Sequence, residues 1–376
     1  MLDQLEALPQ DPHLVAIRFQ PPQLTRAREL RGLTRAALAA MIEKTPGAIS
    51  QFESGATRPD AQTIARLGLA LGVPVAFFAR QNVGSAICSD ACHFRSLRSV
   101  SQFSRRQAIR IGELGHDVLA LLKSEGVELP QDQISPLRSS PKSPEQIEEL
   151  ATHVRRSWGL GLGPIHEVLP LLESKGLRVL PLTDACAEVD AFSTWAQGEP
   201  VALLSFNKPS SRIHFDAAHE LGHLLMHDDV APGSPILEGE ADAFASAFLL
   251  PRDTLLLECP QRWNLNVFRA LKVRWRVSIQ ALVVRAHRLG KLSAASYKNA
   301  FIEISRLGYR QKEPDEWRLN RPVVLETALR LMRDDLPPAR IARLLCLHEA
   351  SFRQLLGPFW PNEDSPTQIL SVESRS

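Results

Sequence analysis

The densest chemistry in the chain lies between residues 213 and 242. It holds seven carboxylates (216, 220, 228, 229, 238, 240, 242), four histidines (214, 219, 223, 227) and no Lys or Arg. So much negative charge without counter-charge repels itself, and a bound divalent cation is the simplest relief. Within the run stands His219-Glu220-Leu221-Gly222-His223. The two histidines are four apart, so on a helix they share one face and can bind one zinc ion. Glu220 falls beside that metal, where it can take a proton from water. The flanks, SSRIHFDAAHELGHLLMH, place Ile213, Ala217, Leu221, Leu224 and Leu225 on one inward stripe. That periodicity predicts a helix, with Gly222 permitting a close neighbour. Two partly buried structural histidines are the plainer alternative, and the adjacent Glu220 counts against it.

Zinc needs a third protein ligand. A metzincin-type site would place Gly at 226 and His at 229, but the chain has Met226 and Asp229. The next predicted helix, with Ala241, Phe244, Ala245 and Phe248 inward, offers Glu238 and Glu240. Both sit ~80° from its stripe centre at ~100° per residue, so helical phase does not choose between them. Asp242 tips the choice to Glu238. It is four residues on, shares that face, and can orient a ligand histidine from behind. His227 is also in phase with the metal face and reads as helix-end packing or a cap, with ligation the lesser reading.

A different chemistry is written into residues 21–80. Thr34 caps RAALAAMIE, and Thr45 caps the next helix with Pro46 at its first position. Ile49 and Phe52 point inward, Ser54-Gly55 ends the helix, and a further helix runs from Thr63 to Leu71. Two short helices joined by a few residues in a compact bundle match a helix-turn-helix. The balance over 21–66 is seven Arg/Lys against four Asp/Glu, or +3. From Phe94 to Arg110 five arginines (95, 98, 105, 106, 110) stand with no acid. That stretch suits a phosphate-binding extension or an interdomain helix equally.

Both regions resemble known families. RGLT before the second helix, Ile49-Ser50-Gln51-Phe52-Glu53-x-Gly55, Arg58-Pro59 and Leu-Gly-Val-Pro are similar to XRE/Cro-type helix-turn-helix domains. The resemblance implies that helix Thr45–Ser54 enters the major groove of double-stranded DNA. Lys44, Thr45, Gly47, Ser50 and Gln51 are then the candidate readers, and Arg58 a backbone contact. Pro46, Gly47 and Ala48 offer few side chains to bases, and Glu53 is expected to be structural. Asp190-Ala191-Phe192-Ser193, the strand Val201–Phe206, Arg212, the HELGH run, His227, Glu238-x-x-Ala241-Asp242-x-Phe244-Ala245 and Leu249-Leu250-Pro251 resemble the ImmA/IrrE metallopeptidases. That resemblance implies zinc held by His219, His223 and Glu238, with Glu220 as general base, on a small zincin-like α+β unit. An oxyanion stabiliser is not apparent, since the only tyrosines, Tyr297 and Tyr309, lie in no recognised motif.

The predicted architecture is mainly α with a small α+β unit. It divides into an N-terminal extension (1–20), the helix-turn-helix head (21–80), and a basic connector and linker (81–145) ending in LPQDQISPLRSSPKSP. The metallopeptidase unit (146–290) and a C-terminal helical region (291–376) follow, the latter with a faint second helix-turn-helix or a brace after Leu336. In the central unit HEVLPLLESKG reads as a helix, LRVLPL as a strand, and AFSTW with VALLSF as a hairpin. With 44% hydrophobic and 23% charged residues and a net charge of +2, the 376-residue chain is globular, and bulk charge names no partner. No apolar run reaches membrane-spanning length and no secretory signal is expected. The five scattered cysteines (Cys88, Cys92, Cys186, Cys259, Cys346) read as reduced thiols of a cytoplasmic protein, and Cys88-Cys92-His93 as thiols rather than a metal site. The expected function is a DNA-binding regulator, homodimeric by analogy, whose zinc endopeptidase cleaves a repressor or itself in a stress-response or mobile-element switch. The alternative is a transcription factor sensing a ligand such as an acyl thioester, with a peptidase-like domain that does not hydrolyse; a purely structural zinc is a third.

Overall fold

The computed structural model describes residues 8–81, 87, 92–94, 100–137, 140–141, 143–183, 186, 188–228 and 234–357. The head comprises α1 (Pro12–Ile17), α2 (Pro21–Leu30), α3 (Arg35–Met41), α4 (Pro46–Ser54), α5 (Ala61–Leu71) and a 3-10 turn, Val75–Ala79. Thr34 and Thr45 accept the amides of Ala37 and Ala48, so α3 and α4 start where their caps dictate. Gly55 (φ 74°) and Gly72 (φ 63°) end α4 and α5 in the left-handed region that glycine enters freely. α5 begins two residues before the expected Thr63, because Asp60 caps it by accepting the Thr63 amide. The supposed extension is part of the head: Val15 and Phe19 are buried in its core, and Gln20 N–H donates to Phe78 O at 2.7 Å.

Beyond the head, β1 (His93–Phe94) leads to the long helix α6 (Gln102–Ser124). The basic stretch resolves here as an interdomain element. Arg110 pairs with Glu29 of α2 at 2.8 Å and with Glu113 at 2.7 Å, while Arg95 and Arg98 lie outside the described residues. Asp117 accepts from both Arg26 and Arg80 at 2.9 Å, all three side chains being buried. The positive charge is thus met across an interface instead of being offered to a polyanion.

The central unit contains α7 (Pro144–Ser157), α8 (Val168–Ser174), β2 (Arg178–Leu182), β3 (Ala191–Ala196), β4 (Glu199–Ser205), α9 (Ser210–Met226) and α10 (Pro235–Leu249). The sheet order is β1-β3-β4-β2; β3 is antiparallel to β1 and β4, and β2 is parallel to β4. Gln197 (φ 53°) and Gly198 (φ 81°) make the tight β3–β4 turn. Two positive φ values there match the right-handed twist of the strands. α6 covers one face of the sheet. A Cβ on Gly115 would stand 2.7 Å from Leu180, and one on Gly112 would stand 3.1 Å from Leu203. α9 covers the other face, and α10 then packs between α9 and α7. The expected linker is seated on this unit. Ile134 is buried, Gln133 N–H donates to Lys175 O at 2.9 Å, and Leu137 N–H donates to Leu225 O at 2.8 Å.

The C-terminal helices are α11 (Arg252–Glu258), α12 (Leu265–Trp275), α13 (Ile279–Arg288), α14 (Ala294–Arg306), α15 (Val324–Leu331), α16 (Pro338–Leu344) and α17 (Glu349–Leu356). Glu173 accepts the Val323 and Val324 amides at 2.7 and 3.3 Å, tying the start of α15 to α8. α15 and α17 rest on α6, and α16 packs on α17. The pair after Leu336 is therefore a brace on the interdomain helix.

Candidate metal centre and nucleic-acid interface

α9 carries His219, Glu220 and His223, and α10 carries Glu238 and Asp242. Ile213, Ala217, Leu221, Leu224 and Leu225 are buried as the stripe requires. Gly222 allows the helices to close: a Cβ there would lie 3.1 Å from Phe244. The Nε2 atoms of His219 and His223 face each other at 3.0 Å. Glu238 presents one carboxylate oxygen to each, at 3.5 and 3.4 Å. One atom from each of the three residues falls within 4.8 Å of the others, and this is the one such metal-capable group among the described residues. Two imidazole nitrogens and a carboxylate, their lone pairs converging on one point, suit zinc.

The outer contacts fix the imidazoles in the orientation this needs. Asp242 meets His219 Nδ1 at 2.9 Å. His227 Nδ1 meets His223 Nδ1 at 2.9 Å, and its Nε2 meets Glu240 at 2.9 Å. With hydrogens on Nδ1 of His219 and His223 and on Nε2 of His227, every contact is satisfied and both facing Nε2 lone pairs stay available. Of the two carboxylates that helical phase leaves open, Glu238 meets the histidine pair and Glu240 meets His227. Burial works to raise the Glu238 carboxyl, but contact with His219 and His223 outweighs it and holds the group at about 2. Burial likewise pushes His227 down, against the pull of Glu240.

Glu220 is fully buried, and its Oε2 accepts from Ser193 Oγ of β3 at 2.6 Å. Trp195, on the same strand face, donates Nε1–H to Leu224 O at 3.3 Å. His219 and His223 are almost inaccessible, whereas the Glu238 and Asp242 side chains are 25% and 45% exposed, so the centre opens on the α10 side. Sequence reasoning assigned no role to Ser193 and none to the His227–Glu240 pair. The i+4 step from His223 to His227 is the available signal for the latter. Tyr297 stacks near His287 and Tyr309 follows α14, so both belong to the C-terminal helices. Cys92 is buried, and Cys88 lies outside the described residues.

In the head, Lys44, Thr45, Gly47 and Gln51 are exposed around the start of α4, and Ser50 is half-buried beside them. Thr45 Oγ1 accepts the Ala48 amide, leaving earlier amides of the helix start turned outward. Arg58 is exposed and donates to Ile17 O at 3.0 Å, which ties it to the end of α1. Glu53 is structural, as expected: its buried carboxylate holds Arg28 at 2.5 Å and Arg35 at 2.6 Å.

Residues 24–78 match the helix-turn-helix family model. Residues 172–287 match a peptidase family model described as the IrrE N-terminal-like domain. No curated protein gives a match to the chain. The chain thus carries an XRE-type helix-turn-helix domain, the class to which DNA binding belongs, fused to a peptidase-like domain of the ImmA/IrrE type.

Proposed function

We propose that this chain is a DNA-binding regulator whose peptidase-like domain is a zinc-dependent endopeptidase acting on a protein substrate, a repressor or the chain itself, in a stress-response or mobile-element switch. The observation that carries this reading is the convergence of His219, His223 and Glu238 beside a buried, hydrogen-bonded Glu220. A site that only stapled the fold would have no use for a base at that position.

In this reading His219, His223 and Glu238 hold the metal, and Asp242 and His227 keep the imidazoles turned toward it. Zinc bound there supplies Lewis acidity, polarising a peptide carbonyl and bringing the pKa of water down to about 7. Glu220 accepts the proton of the attacking water and passes it to the departing amine. Ser193 keeps the Glu220 carboxylate in one orientation through this exchange. In the head, Lys44, Thr45, Gly47, Ser50 and Gln51 face the major groove, with Gln51 able to pair with adenine and Arg58 on the backbone. Two heads on two half-sites, one homodimer, is the arrangement such domains favour. The buried Arg26–Asp117–Arg80 contact makes head and peptidase unit move together, so a head on its operator concentrates the peptidase there. No described helix is long and apolar enough to cross a membrane.

The test is the metal content of the purified chain. About one zinc per chain is expected in wild type and in Glu220→Gln, and far less in Glu238→Ala. Wild-type protein that takes up no zinc would overturn the metallopeptidase reading.

A further inference from the structure

A peptidase must hold its substrate extended beside the base, and the sheet offers an edge for that. β3 is bounded on one side by β4, and its other edge is met by β1. β3 runs over six residues, but β1 covers only two. His93 pairs with Ser193 and Phe94 with Phe192, antiparallel. Ser193 is the residue whose hydroxyl holds Glu220 at 2.6 Å. Residues paired this way have Cα atoms about 4.5–5.5 Å apart, so the backbone at His93 runs within one strand spacing of the residue that orients the base. The segment belongs to the passage between head and peptidase unit, and it is pinned on both sides. Ile87 and Cys92 before it and Val100 after it are buried.

An exposed sheet edge recruits an extended chain through its unpaired main-chain groups, and peptide-binding proteins use such edges for that purpose. A two-residue pairing is the kind that a longer strand displaces. We infer that the free edge of β3 is the edge on which the peptidase domain receives an extended substrate peptide, antiparallel to β3, and that the chain's own Cys92–Phe94 segment fills it as a displaceable strap. The inference rests on the peptidase reading for what the bound peptide undergoes, but occupancy of the edge is measurable without hydrolysis.

The experiment uses the full zinc-loaded chain carrying Glu220→Gln, so that bound peptide stays intact. The probe is a fluorescein-labelled peptide of residues 89–98 with Cys92→Ser. His93→Pro/Phe94→Pro, which removes the strap's main-chain donors, is expected to bind it at least ~10-fold more tightly than the chain with the strap intact. A second measurement needs no strap variant. With excess peptide, hydrogen exchange should speed up at 92–94 while 191–196 stay protected. Equal affinity with and without the prolines, or unchanged exchange at 92–94 under saturating peptide, would overturn the inference. Glu220-dependent cuts within 88–98 of the wild-type chain would also overturn it, by making the segment a substrate instead of a strap. If these fail while zinc-dependent cleavage of another protein is seen, the peptidase reading stands alone. If both binding effects appear and no cleavage is ever found, the edge stands and the peptidase reading falls.

Discussion

The Ser193 hydroxyl donates to Glu220 Oε2 at 2.6 Å, linking β3 to the helix that carries the histidine pair, with both residues shut off from solvent. A donor to an ionised carboxylate lowers its pKa. Ser193→Ala should therefore move the acid limb of the kcat/KM profile to higher pH and reduce kcat by roughly 10-fold, with zinc content unchanged. A pH profile that keeps its acid limb would show that the contact is only packing.

Asp242 and His227 should matter to metal affinity without touching the metal. Loss of an outer partner of a ligating histidine typically costs about 10–100-fold in affinity. Asp242→Ala and His227→Ala are expected to weaken zinc binding by amounts in that range, read by competition with a chromogenic chelator. Glu240→Ala, one contact further out, should weaken it less.

The head should separate from the rest if Asp117 is removed. Asp117→Ala leaves Arg26 and Arg80 buried together without their shared carboxylate, and breaking a buried pair costs about 3–5 kcal/mol. The urea midpoint should fall, and hydrogen exchange should rise first in α2 and along the facing side of α6.

Acid should destabilise the chain through His214. This histidine is fully buried on α9, edge-on to Trp317 with ring centres 5.9 Å apart. Burial, and after it the charges of Arg276 and His166, push its imidazole from the ordinary 6.5 down to about 3. The unfolded chain takes up this proton below about 6.5 and the folded chain only near 3, so unfolding binds a proton in between. The contribution is present at neutral pH and is lost as pH falls from 6.5 toward 3. Urea midpoints should drop across that window, and His214→Phe should flatten this limb.

On DNA, two head residues should behave differently. Lys44→Ala should weaken binding evenly across sequences and reduce the salt slope by about 1. Gln51→Ala should cost about 1–3 kcal/mol at one base pair and relax preference there. A binding assay over a site-variant series at two salt concentrations separates the two.

Much of the site was legible because its spacing is helical. His219 and His223 share a face by arithmetic, Glu238 and Asp242 share another, and Gly222 marks where two helices close. The head's caps at Thr34 and Thr45 were equally plain, being local contacts three residues long. What the sequence hid joins distant residues. Ser193 and Glu220 are 27 residues apart, and no periodicity connects a strand hydroxyl to a helix carboxylate. The arginines after Phe94 suggested a polyanion surface, because the acid that meets Arg110 lies 81 residues earlier. The linker's turn-forming composition masked the burial of Ile134, which seats it on the domain. α1 was passed over although Asp11 caps it and Pro12 opens it, because six residues are too few for a periodic signal.

The most direct measurement is a comparison of newly formed protein N-termini in cells expressing the wild-type chain or Glu220→Gln. The expected result is at least one defined cut, in a repressor or another partner, present with wild type and absent with Glu220→Gln at equal protein level and equal zinc content. Identical N-termini in the two, under conditions where both carry zinc and occupy DNA, would contradict peptidase action. The chain would then be a DNA-binding regulator whose metal centre serves a purpose other than hydrolysis.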